Sequence, residues 1–453
     1  MSDTIAAVST ATAPSGIGII RISGPEAFAT AGKIFKGKPV KELAANTITH
    51  GWIEFGGKII DEVLLSVFKE PHSYTGEDTV EINCHGGIIA VKNILDAVLA
   101  SGARPAEPGE FTKRAFLNGR MDLSEAEAVM DVISAKSEYA LQSAVSQLKG
   151  SLNDKISEIR GALLYELAYI ESALDDPEHI SLDGYSENLK KVIKTEHEKL
   201  CKLSKTAEKG KYIEEGIKTV ILGRPNVGKS SLLNMLTGKE RAIVTDIPGT
   251  TRDVLEETVS LGKVALRILD TAGIHDAADK VEQIGIRLAW EKAEEADLIL
   301  YVADSSQDIE DKDVEILKKV SGKKGILLLN KTDLGMKITK SDVQKLTNFP
   351  VIEISAKEGT GENEIQALIE EMFFNGEISF NEEVFITNTR HKALIDSAIE
   401  SLKLVENSID SGLPEDFYSI DLSGAINDLD AIIGGNLSED LVDEIFSKFC
   451  MGK

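Results

Sequence analysis

The chain has 453 residues, and its 75 acidic against 50 basic side chains give a formal net charge of -25. A chain of this length is too long for one hydrophobic core, so we expect two or three domains. So acidic a composition argues against a protein that coats nucleic acid non-specifically, and a nucleic-acid partner would need a local basic patch.

The three cysteines, Cys84, Cys201 and Cys450, lie far apart and have none of the spacings typical of a metal site or a redox motif. Free thiols suit a reducing cytosol. The amino terminus lacks the basic segment of a secretion signal, and no apolar run approaches the length of about 18 residues that a membrane span needs. We therefore expect a soluble, cytoplasmic protein without membrane contact.

Residues 1–120 carry short β-branched runs separated by glycine and proline, at 18–22, 63–68 and 79–82. This pattern predicts a small α+β domain. The pattern changes at about residue 121, where helical periodicity begins.

Two stretches, 121–215 and 376–453, have the apolar periodicity of amphipathic helices. The apolar positions fall into three groups, each of which fits one helical stripe. Two groups precede the central segment and the third follows it. In that order they are Val129, Ile133, Ala140, Ala144 and Leu148; Ile156, Ile159, Leu163, Leu167, Ile170 and Leu174; and Leu394, Ala398, Ile399, Leu402, Val405 and Ile409. One helical bundle interrupted by an insertion explains both stretches, and two unrelated helical pieces are the alternative.

Strands and helices alternate between these stretches, in residues 216–375. The predicted strands are the apolar runs at 219–222, 265–269, 298–302, 326–329 and 351–354. This order predicts a mainly parallel sheet with helices on both faces, inserted as a whole domain into the helical part. We expect the insertion to enter through an exposed loop in the polar stretch 205–215, because such loops tolerate inserted domains.

The segment 223–230 reads G-R-P-N-V-G-K-S, the complete phosphate-binding pattern G-x-x-x-x-G-K-S, directly after a predicted strand. Its glycines let backbone N–H groups close around phosphate oxygens, Lys229 supplies a positive charge, and Ser230 offers its hydroxyl to Mg²⁺. The alternative is a glycine-rich turn with a chance lysine, and the segments that follow argue against it.

Three later segments favour a guanine nucleotide. The sequence D-T-A-G at 270–273 follows a strand, which places Asp270 beside the phosphates to hold Mg²⁺ through water. The sequence N-K-T-D at 330–333 lets the Asp333 carboxylate accept two hydrogen bonds from guanine, a donor pair that adenine lacks. The sequence S-A-K at 355–357 resembles the last guanine-side loop of GTPases. In this order and spacing the segments predict a Ras-like P-loop GTPase domain that hydrolyses GTP.

The segment 249–253, G-T-T-R-D, lies where GTPases carry a mobile switch, and an ordinary Gly-Thr turn is the alternative. Thr251 is the candidate for the switch threonine that binds Mg²⁺. Position 274 is isoleucine, so a Ras-type glutamine that orients the attacking water is missing. The predicted GTP-binding residues are Asn226, Val227, Gly228, Lys229, Ser230, Ser231, Thr245, Thr250, Thr251, Asp270, Thr271, Ala272, Gly273, Asn330, Lys331, Asp333, Ser355, Ala356 and Lys357.

Further motifs lie outside the GTPase segment, namely G-I-I-R-I-S-G at 18–24, Y-T-G-E-D at 74–78, H-G-G at 85–87, P-G-E-F-T-K-R-A-F-L-N at 108–118 and F-C-M-G-K at 449–453. With these motifs the chain resembles, over nearly its whole length, the MnmE (TrmE) family of tRNA-uridine-modification GTPases.

The resemblance implies that two copies of the nucleotide domain meet around a potassium ion, which substitutes for an arginine finger. It assigns the K⁺ ligands to the Asn226 side chain and to the switch residues Thr245, Ile247 and Thr250, and Mg²⁺ to Ser230 and Thr251. It also assigns Glu282 to positioning the attacking water, so that Glu282, Lys229 and Thr251 are the expected catalytic residues. From the sequence alone, Glu282 is more typical of a solvated helix residue.

The resemblance further implies that residues 1–120 form a homodimer and bind a reduced folate, as 5-formyl- or methylene-tetrahydrofolate. By motif match, Arg21, Glu81, Arg120 and Lys453 contact it, since cations pair with the folate glutamate and a carboxylate accepts from the pterin. Without the family, Arg21 and Glu81 are typical surface charges. The family often has lysine at position 120, which leaves the contact of Arg120 open.

Three more positions are ambiguous. Cys450 matches a family cysteine, and its role stays open, with a buried apolar thiol as the alternative. Met451 replaces a family isoleucine or leucine, a swap that conserves volume. His85 is either a base or a hydrogen-bonded structural histidine.

The leading hypothesis is a potassium-stimulated GTPase that acts with an FAD-dependent partner, MnmG, on tRNA. Together they would add a carboxymethylaminomethyl or aminomethyl group at C5 of the wobble uridine, using a tetrahydrofolate one-carbon unit. The first alternative is an Era-like, ribosome-associated regulatory GTPase without modification chemistry, which would carry a basic RNA-binding module. The second is a nucleotide-responsive scaffold without turnover, which would lack Lys229, Thr251 or Asp270.

Overall fold

The computed structural model describes residues 3–182, 184–238, 257–269, 291–376, 378–380 and 383–453, with the side chain of Glu257 left out. The chain divides into two compact units. The first contains Met1–Met130, Leu148–Ser181 and Pro414–Lys453. The second contains Asp131–Gln147 and Leu182–Leu413.

The first unit contains a seven-stranded sheet in the order β3-β4-β5-β6-β2-β1-β7. Its strands are Ile5–Val8 (β1), Gly18–Ser23 (β2), Phe35–Lys36 (β3), Thr47–Phe55 (β4), Lys58–Phe68 (β5), Thr79–Cys84 (β6) and Arg104–Pro105 (β7). The pairs are antiparallel except for β1 with β7.

Two helices cover one face of this sheet, Ala27–Ile34 (α1) and Ile88–Ala100 (α2), and a third, Glu110–Leu117 (α3), follows β7. Ile20 and Ile22 alternate along β2 with the less buried Ile19 and Arg21, and they join the core that α1 and α2 close. The predicted α+β domain is confirmed.

Beyond residue 120, the described parts of the chain contain seven helices that precede or follow the segment 216–375. They are Leu123–Ser134 (α4), Glu138–Leu148 (α5), Ser151–Asp175 (α6) and Tyr185–Glu215 (α7) before it, with Thr389–Asp410 (α12), Glu415–Ile433 (α13) and Glu439–Ser447 (α14) after it. In the first unit α6 packs against α13, and in the second unit α7 packs against α12. Helices from before the segment therefore pair with helices from after it.

Two local predictions are wrong. The stripe from 129 to 148 is not one helix, because the chain breaks between α4 and α5, and Ile133 and Leu148 are 43% and 37% exposed. The polar stretch 205–215 is not a loop but the last turns of α7. There Gly210 packs so closely that a Cβ would lie 2.0 Å from the Ile386 carbonyl oxygen, and Ile213 is 2% exposed.

The second unit contains a six-stranded sheet in the order β13-β12-β11-β8-β10-β9, parallel except for β9. Its strands are Ile217–Leu222 (β8), Glu257–Leu261 (β9), Val264–Ile268 (β10), Leu298–Asp304 (β11), Gly325–Asn330 (β12) and Val351–Glu353 (β13). The helices described around it are Lys229–Thr237 (α8), Asp311–Val320 (α9), Lys340–Val343 (α10) and Glu362–Phe374 (α11).

This sheet is buried on both faces. Alternate residues of β11 enter two separate apolar clusters, with Leu298, Leu300 and Val302 in one and Ile299, Tyr301 and Ala303 in the other. The predicted fold class, a mainly parallel Ras-like sheet within a helical part and preceded by an α+β domain, is confirmed. Strand β9 is an addition that the sequence analysis did not predict.

Among the described residues, no helix combines the length and the apolarity that crossing a membrane requires. All three cysteines are free thiols. Burial, together with the nearby Asp61 carboxylate, raises the pKa of Cys84 to about 11, so this thiol stays protonated at neutral pH.

Candidate functional site

The phosphate-binding loop leaves the carboxyl end of β8 and leads into α8, as the motif predicts. Gly223 and Gly228 have positive φ angles of 146° and 103°. A Cβ would lie 2.3 Å from the Val302 carbonyl oxygen at the first position and 2.2 Å from Asn330 Nδ2 at the second. Both glycines are therefore required by the close approach of the Val302 backbone and the Asn330 side chain as well as by the backbone angle.

Lys229 begins α8 with its ammonium group turned into the loop. Its Nζ donates to the carbonyl oxygens of Gly223 and Arg224, both at 2.8 Å. Burial lowers the pKa of Lys229 below its ordinary value. Phosphate oxygens are stronger acceptors for an ammonium group than carbonyl oxygens, so this position is suited to an anionic ligand.

Asn330, at the end of β12, joins the phosphate-binding loop to the guanine-side loop. It is 2% exposed. Its Nδ2 donates to the Val227 carbonyl at 2.9 Å, and its Oδ1 accepts from the Ala356 N–H at 3.0 Å. Both ends of one buried amide are thus satisfied by two predicted site residues, which fixes the distance between the two loops.

Asp333 and Ser355 also meet, since the Ser355 hydroxyl donates to Asp333 Oδ1 at 2.7 Å. This bond orients the carboxylate whose predicted role is guanine recognition. A cavity of about 430 Å³ lies nearby, lined on one side by Ser231 and on the other by Ala356 and Lys357. A volume of this size is within the usual range for small-molecule sites.

Lys331 bridges two acceptors. Its Nζ donates to the Asn226 carbonyl at 2.8 Å and to Asp304 Oδ2 at 2.6 Å. Asp304, the last residue of β11, is 2% exposed. Burial by itself raises the pKa of Asp304, but hydrogen bonds from Lys331 and Ser306 outweigh it and hold that pKa below its ordinary value. The carboxylate therefore stays ionised.

Part of the predicted site lies outside the described residues. This part comprises Thr245, Ile247, Thr250, Thr251, Asp270, Thr271, Ala272, Gly273 and Glu282. The predicted residues within the described chain come together at the carboxyl ends of β8 and β12 and at the loop after β13.

The first unit brings the four predicted folate contacts into one cluster. Arg21 on β2 and Glu81 on β6 are directly opposite each other in the antiparallel pair. Arg21 Nε and Nη2 each lie 2.9 Å from Glu81 Oε1, and the two side chains are 12% and 20% exposed. They form a mostly buried pair, so the interpretation as separate surface charges is wrong.

The Tyr74 ring is the centre of this cluster. The guanidinium carbons of Arg21 and Arg120 lie 5.0 and 5.8 Å from the ring centre, and Lys453 Nζ lies at 5.9 Å. Burial, followed by the nearby Arg21 charge, lowers the pKa of Lys453 below its ordinary value. Three cations around one ring form a locally basic cluster in an acidic chain.

His85 and Cys450 are two of the three ambiguous positions, and neither is fully buried. His85 is exposed, its Nδ1 lies 2.8 Å from Asp61 Oδ1, and its backbone N–H donates to the same carboxylate at 2.9 Å. The hydrogen bond between the imidazole and the Asp61 carboxylate raises the pKa of His85 above its ordinary value. Cys450 is half-buried, which differs from a fully buried apolar thiol.

Three structural contributors were missed by the sequence analysis. Asp304 directly follows the buried run of β11, a position where strand-end carboxylates often face a ligand. Tyr74 belongs to a noted motif, yet its place beside Arg21 depends on non-local pairing. Gly452 belongs to the noted motif at 449–453, and its carbonyl accepts from Ser9 Oγ at 3.1 Å and from Arg21 Nη1 at 3.5 Å, contacts that depend on non-local packing.

A phosphate-binding loop after a central parallel strand, joined through Asn330 to the loop whose Ser355 orients Asp333, defines a P-loop GTPase. The protein is a GTP hydrolase.

Comparisons with known proteins identify the family. A family model described as the MnmE helical domain matches residues 123–450, and one described as the GTP-binding protein TrmE N-terminus matches residues 4–120. The chain belongs to the MnmE family of tRNA modification GTPases.

Curated relatives align over the full length. A protein of Lachnoclostridium phytofermentans is 51% identical over 456 residues, covering 100% of both chains, and one of Acetivibrio thermocellus is 48% identical, covering 100% of this chain and 99% of its own. Both are named tRNA modification GTPase MnmE. Among solved structures, the G domain of the T. maritima FeoB iron transporter is 27% identical with a TM-score of 0.26, covering 34% of this chain and 97% of its own.

Proposed function

We propose that this GTPase is stimulated by potassium and acts with an FAD-dependent MnmG-type partner on tRNA. The pair would modify C5 of the wobble uridine with a one-carbon unit from a tetrahydrofolate bound in the first unit. The observation that carries the proposal is the coexistence of two sites in one chain, a phosphate-binding loop that ends at Lys229 and a cluster of basic side chains around Tyr74. A GTPase without modification chemistry has no use for the second site.

The potassium role is supported by the setting of Asn226. This residue has a φ of 62°, in the left-handed region that asparagine tolerates better than most side chains, and Lys331 holds its carbonyl. An amide oxygen is a suitable ligand for a hard monovalent cation. When bound beside the phosphates, such a cation offsets negative charge that develops during hydrolysis. A homodimer would place it between two nucleotide domains.

GTP hydrolysis should be at least about tenfold faster in KCl than in NaCl, since a well-placed charge lowers the barrier by more than about 1.4 kcal/mol. Asn226→Ala and Asn226→Gly should both lose this difference while keeping GDP affinity. The glycine variant removes the side chain without the strain that alanine meets at this φ. Steady-state phosphate release in the two salts measures the effect, and equal wild-type rates would contradict the proposal.

The folate role is supported by the chemistry of the side chains clustered around Tyr74. Arg21, Arg120 and Lys453 supply positive charge for the carboxylates of the glutamate tail, and Glu81 can accept from the amino groups of the pterin. The Tyr74 ring is only partly buried, so aromatic surface is available for a flat heterocycle beside the Arg21 guanidinium group.

Titration with 5-formyltetrahydrofolate should give saturable binding, and Arg21→Ala should weaken it at least about tenfold by removing a charge-assisted contact and leaving Glu81 unpaired. Lys58→Ala, which removes an exposed lysine of the same sheet, is the matched control and should bind normally. Calorimetry on the full chain measures both. A wild-type protein that fails to bind the folate would exclude this role.

A further inference from the structure

We propose that residues 304–313, here called the β11–α9 segment, position Asn226 for its cation and so set the potassium concentration at which the GTPase responds. The inference rests on the proposed role of Asn226. It assigns Asp304 and Asp313 as positioning residues, which act on the site through Lys331 and Arg224.

The first set of contacts, here called the first hold, consists of the ion pairs and the hydrogen bond that fix the side chain of Arg224, two residues before Asn226. Its guanidinium pairs with Glu310, its Nε lies 3.0 Å from Asp313 Oδ2, and its Nη2 donates to the Asp308 carbonyl at 3.2 Å. The side chain is 15% exposed. Every one of these acceptors belongs to the β11–α9 segment, so Arg224 fastens the phosphate-binding loop to that segment.

Asp313 is a rigid anchor because its own position is fixed from inside the protein. It is 2% exposed. The Tyr301 hydroxyl donates to its Oδ1 at 2.5 Å, and the Glu310 N–H donates to its Oδ2 at 3.0 Å. Tyr301 is fully buried, and burial together with this hydrogen bond raises its pKa, so the hydroxyl remains a donor.

The second hold acts on the backbone of Asn226 through Lys331. Asp304 fixes the Lys331 ammonium, which in turn donates to the Asn226 carbonyl. Asp304 also accepts from the Ser306 N–H at 3.0 Å and from Gln307 Nε2 at 3.1 Å. The carboxylate that directs Lys331 is therefore itself held on several sides.

Together the two holds leave Asn226 little freedom. Arg224 is fixed by its side chain and Asn226 by its carbonyl, with only Pro225 between them. Pro225 has a nearly fixed φ. A side chain oriented before binding loses less entropy when it takes up a ligand, and the gain matters most for a weakly bound monovalent ion. Loosening either hold should therefore weaken the cation site before it weakens nucleotide binding.

The test measures GTP hydrolysis by the full chain as a function of KCl concentration, at constant ionic strength and saturating GTP. Asp304→Asn and Asp313→Asn should each raise the half-saturating K⁺ concentration at least about fivefold, because the first weakens a charge-assisted hydrogen bond to Lys331 and the second removes the ion pair with Arg224. Affinity for a fluorescent GDP should change by less than about threefold. Glu315→Gln is the control, because this carboxylate lies on α9 outside the segment, is 70% exposed and pairs with Lys319. It should leave both values unchanged.

Tyr301→Phe keeps the test decisive if a buried aspartate variant fails to fold, because it removes only the hydroxyl that orients Asp313. It should also raise the half-saturating K⁺ concentration, by about threefold. A wild-type response to K⁺ with unchanged half-saturation in Asp304→Asn and Tyr301→Phe overturns this inference alone. So does a loss of GDP affinity without a shift in half-saturation. Equal wild-type rates in KCl and NaCl overturn the proposed potassium role as well.

Discussion

Asp333→Asn should lower the affinity for GDP about a hundredfold or more and create affinity for xanthine nucleotides. A carboxylate accepts both hydrogen bonds from guanine, and losing two charge-assisted bonds accounts for this loss. The Ser355 hydroxyl donates to Asp333 Oδ1 in the present structure. In the variant this hydroxyl would hold the amide oxygen and turn the NH₂ group toward the base, where xanthine offers a second carbonyl oxygen.

Fluorescent GDP and XDP titrations measure the switch. Glu353→Gln removes the same charge from an exposed position on β13 and should leave the guanine preference intact. Adding Ser355→Ala to Asp333→Asn should reduce the xanthine gain, because the amide loses the partner that orients it. Unchanged GDP affinity in Asp333→Asn would show that this carboxylate does not contact the base.

Gly452→Ala should weaken binding of 5-formyltetrahydrofolate at least about tenfold. Gly452 has a φ of 82°, and a Cβ there would lie 2.2 Å from the Val8 carbonyl oxygen. Both the backbone angle and the overlap require the chain to move away from β1, which draws Lys453 from the Tyr74 ring. Calorimetric titration with the folate measures the change.

Met451→Ala is the matched control for Gly452→Ala. Its side chain is 60% exposed, so it should bind the folate like the wild type. Equal melting temperatures would establish that neither variant unfolds the protein. Normal folate affinity in Gly452→Ala would mean that the position of Lys453 does not matter for binding.

Much of the nucleotide domain follows from local sequence. Its central strands are buried on both faces, so they are continuous apolar runs, and the glycines of the loop mark where the backbone bends. Strand β9 was not predicted because, among its residues with described side chains, only Val259 and Leu261 are buried, each with 1% of its surface exposed. A five-residue alternating segment is too short to stand out.

The helical part was harder, because periodicity does not reveal where a helix is interrupted. The apolar spacing runs through the break between α4 and α5 without a change of phase. The polar end of α7 was mistaken for a loop because only one narrow side of it is buried, by close contact at Gly210. The polar composition of this segment reflects its exposed side, whereas its helical structure is stabilised by tertiary packing.

The cluster around Tyr74 in the first unit could not be predicted from local sequence. Arg21 and Glu81 are sixty positions apart in the chain, and only the pairing of β2 with β6 makes them neighbours. The motifs found them through family resemblance. Asp304 and Asp313 carry no motif, and their importance follows from the side chains that converge on them in the folded chain.

Tyr139 determines where a recombinant fragment of the GTPase should begin. This residue of α5 is 1% exposed, its N–H donates to the Lys263 carbonyl at 3.1 Å, and its ring lies 5.6 Å from that of Phe374. A fragment cut at 216 and 375 would lack Tyr139 and would leave Phe374 facing water. The cost of exposing such a ring is about 2 kcal/mol. A fragment that retains α5 keeps this contact.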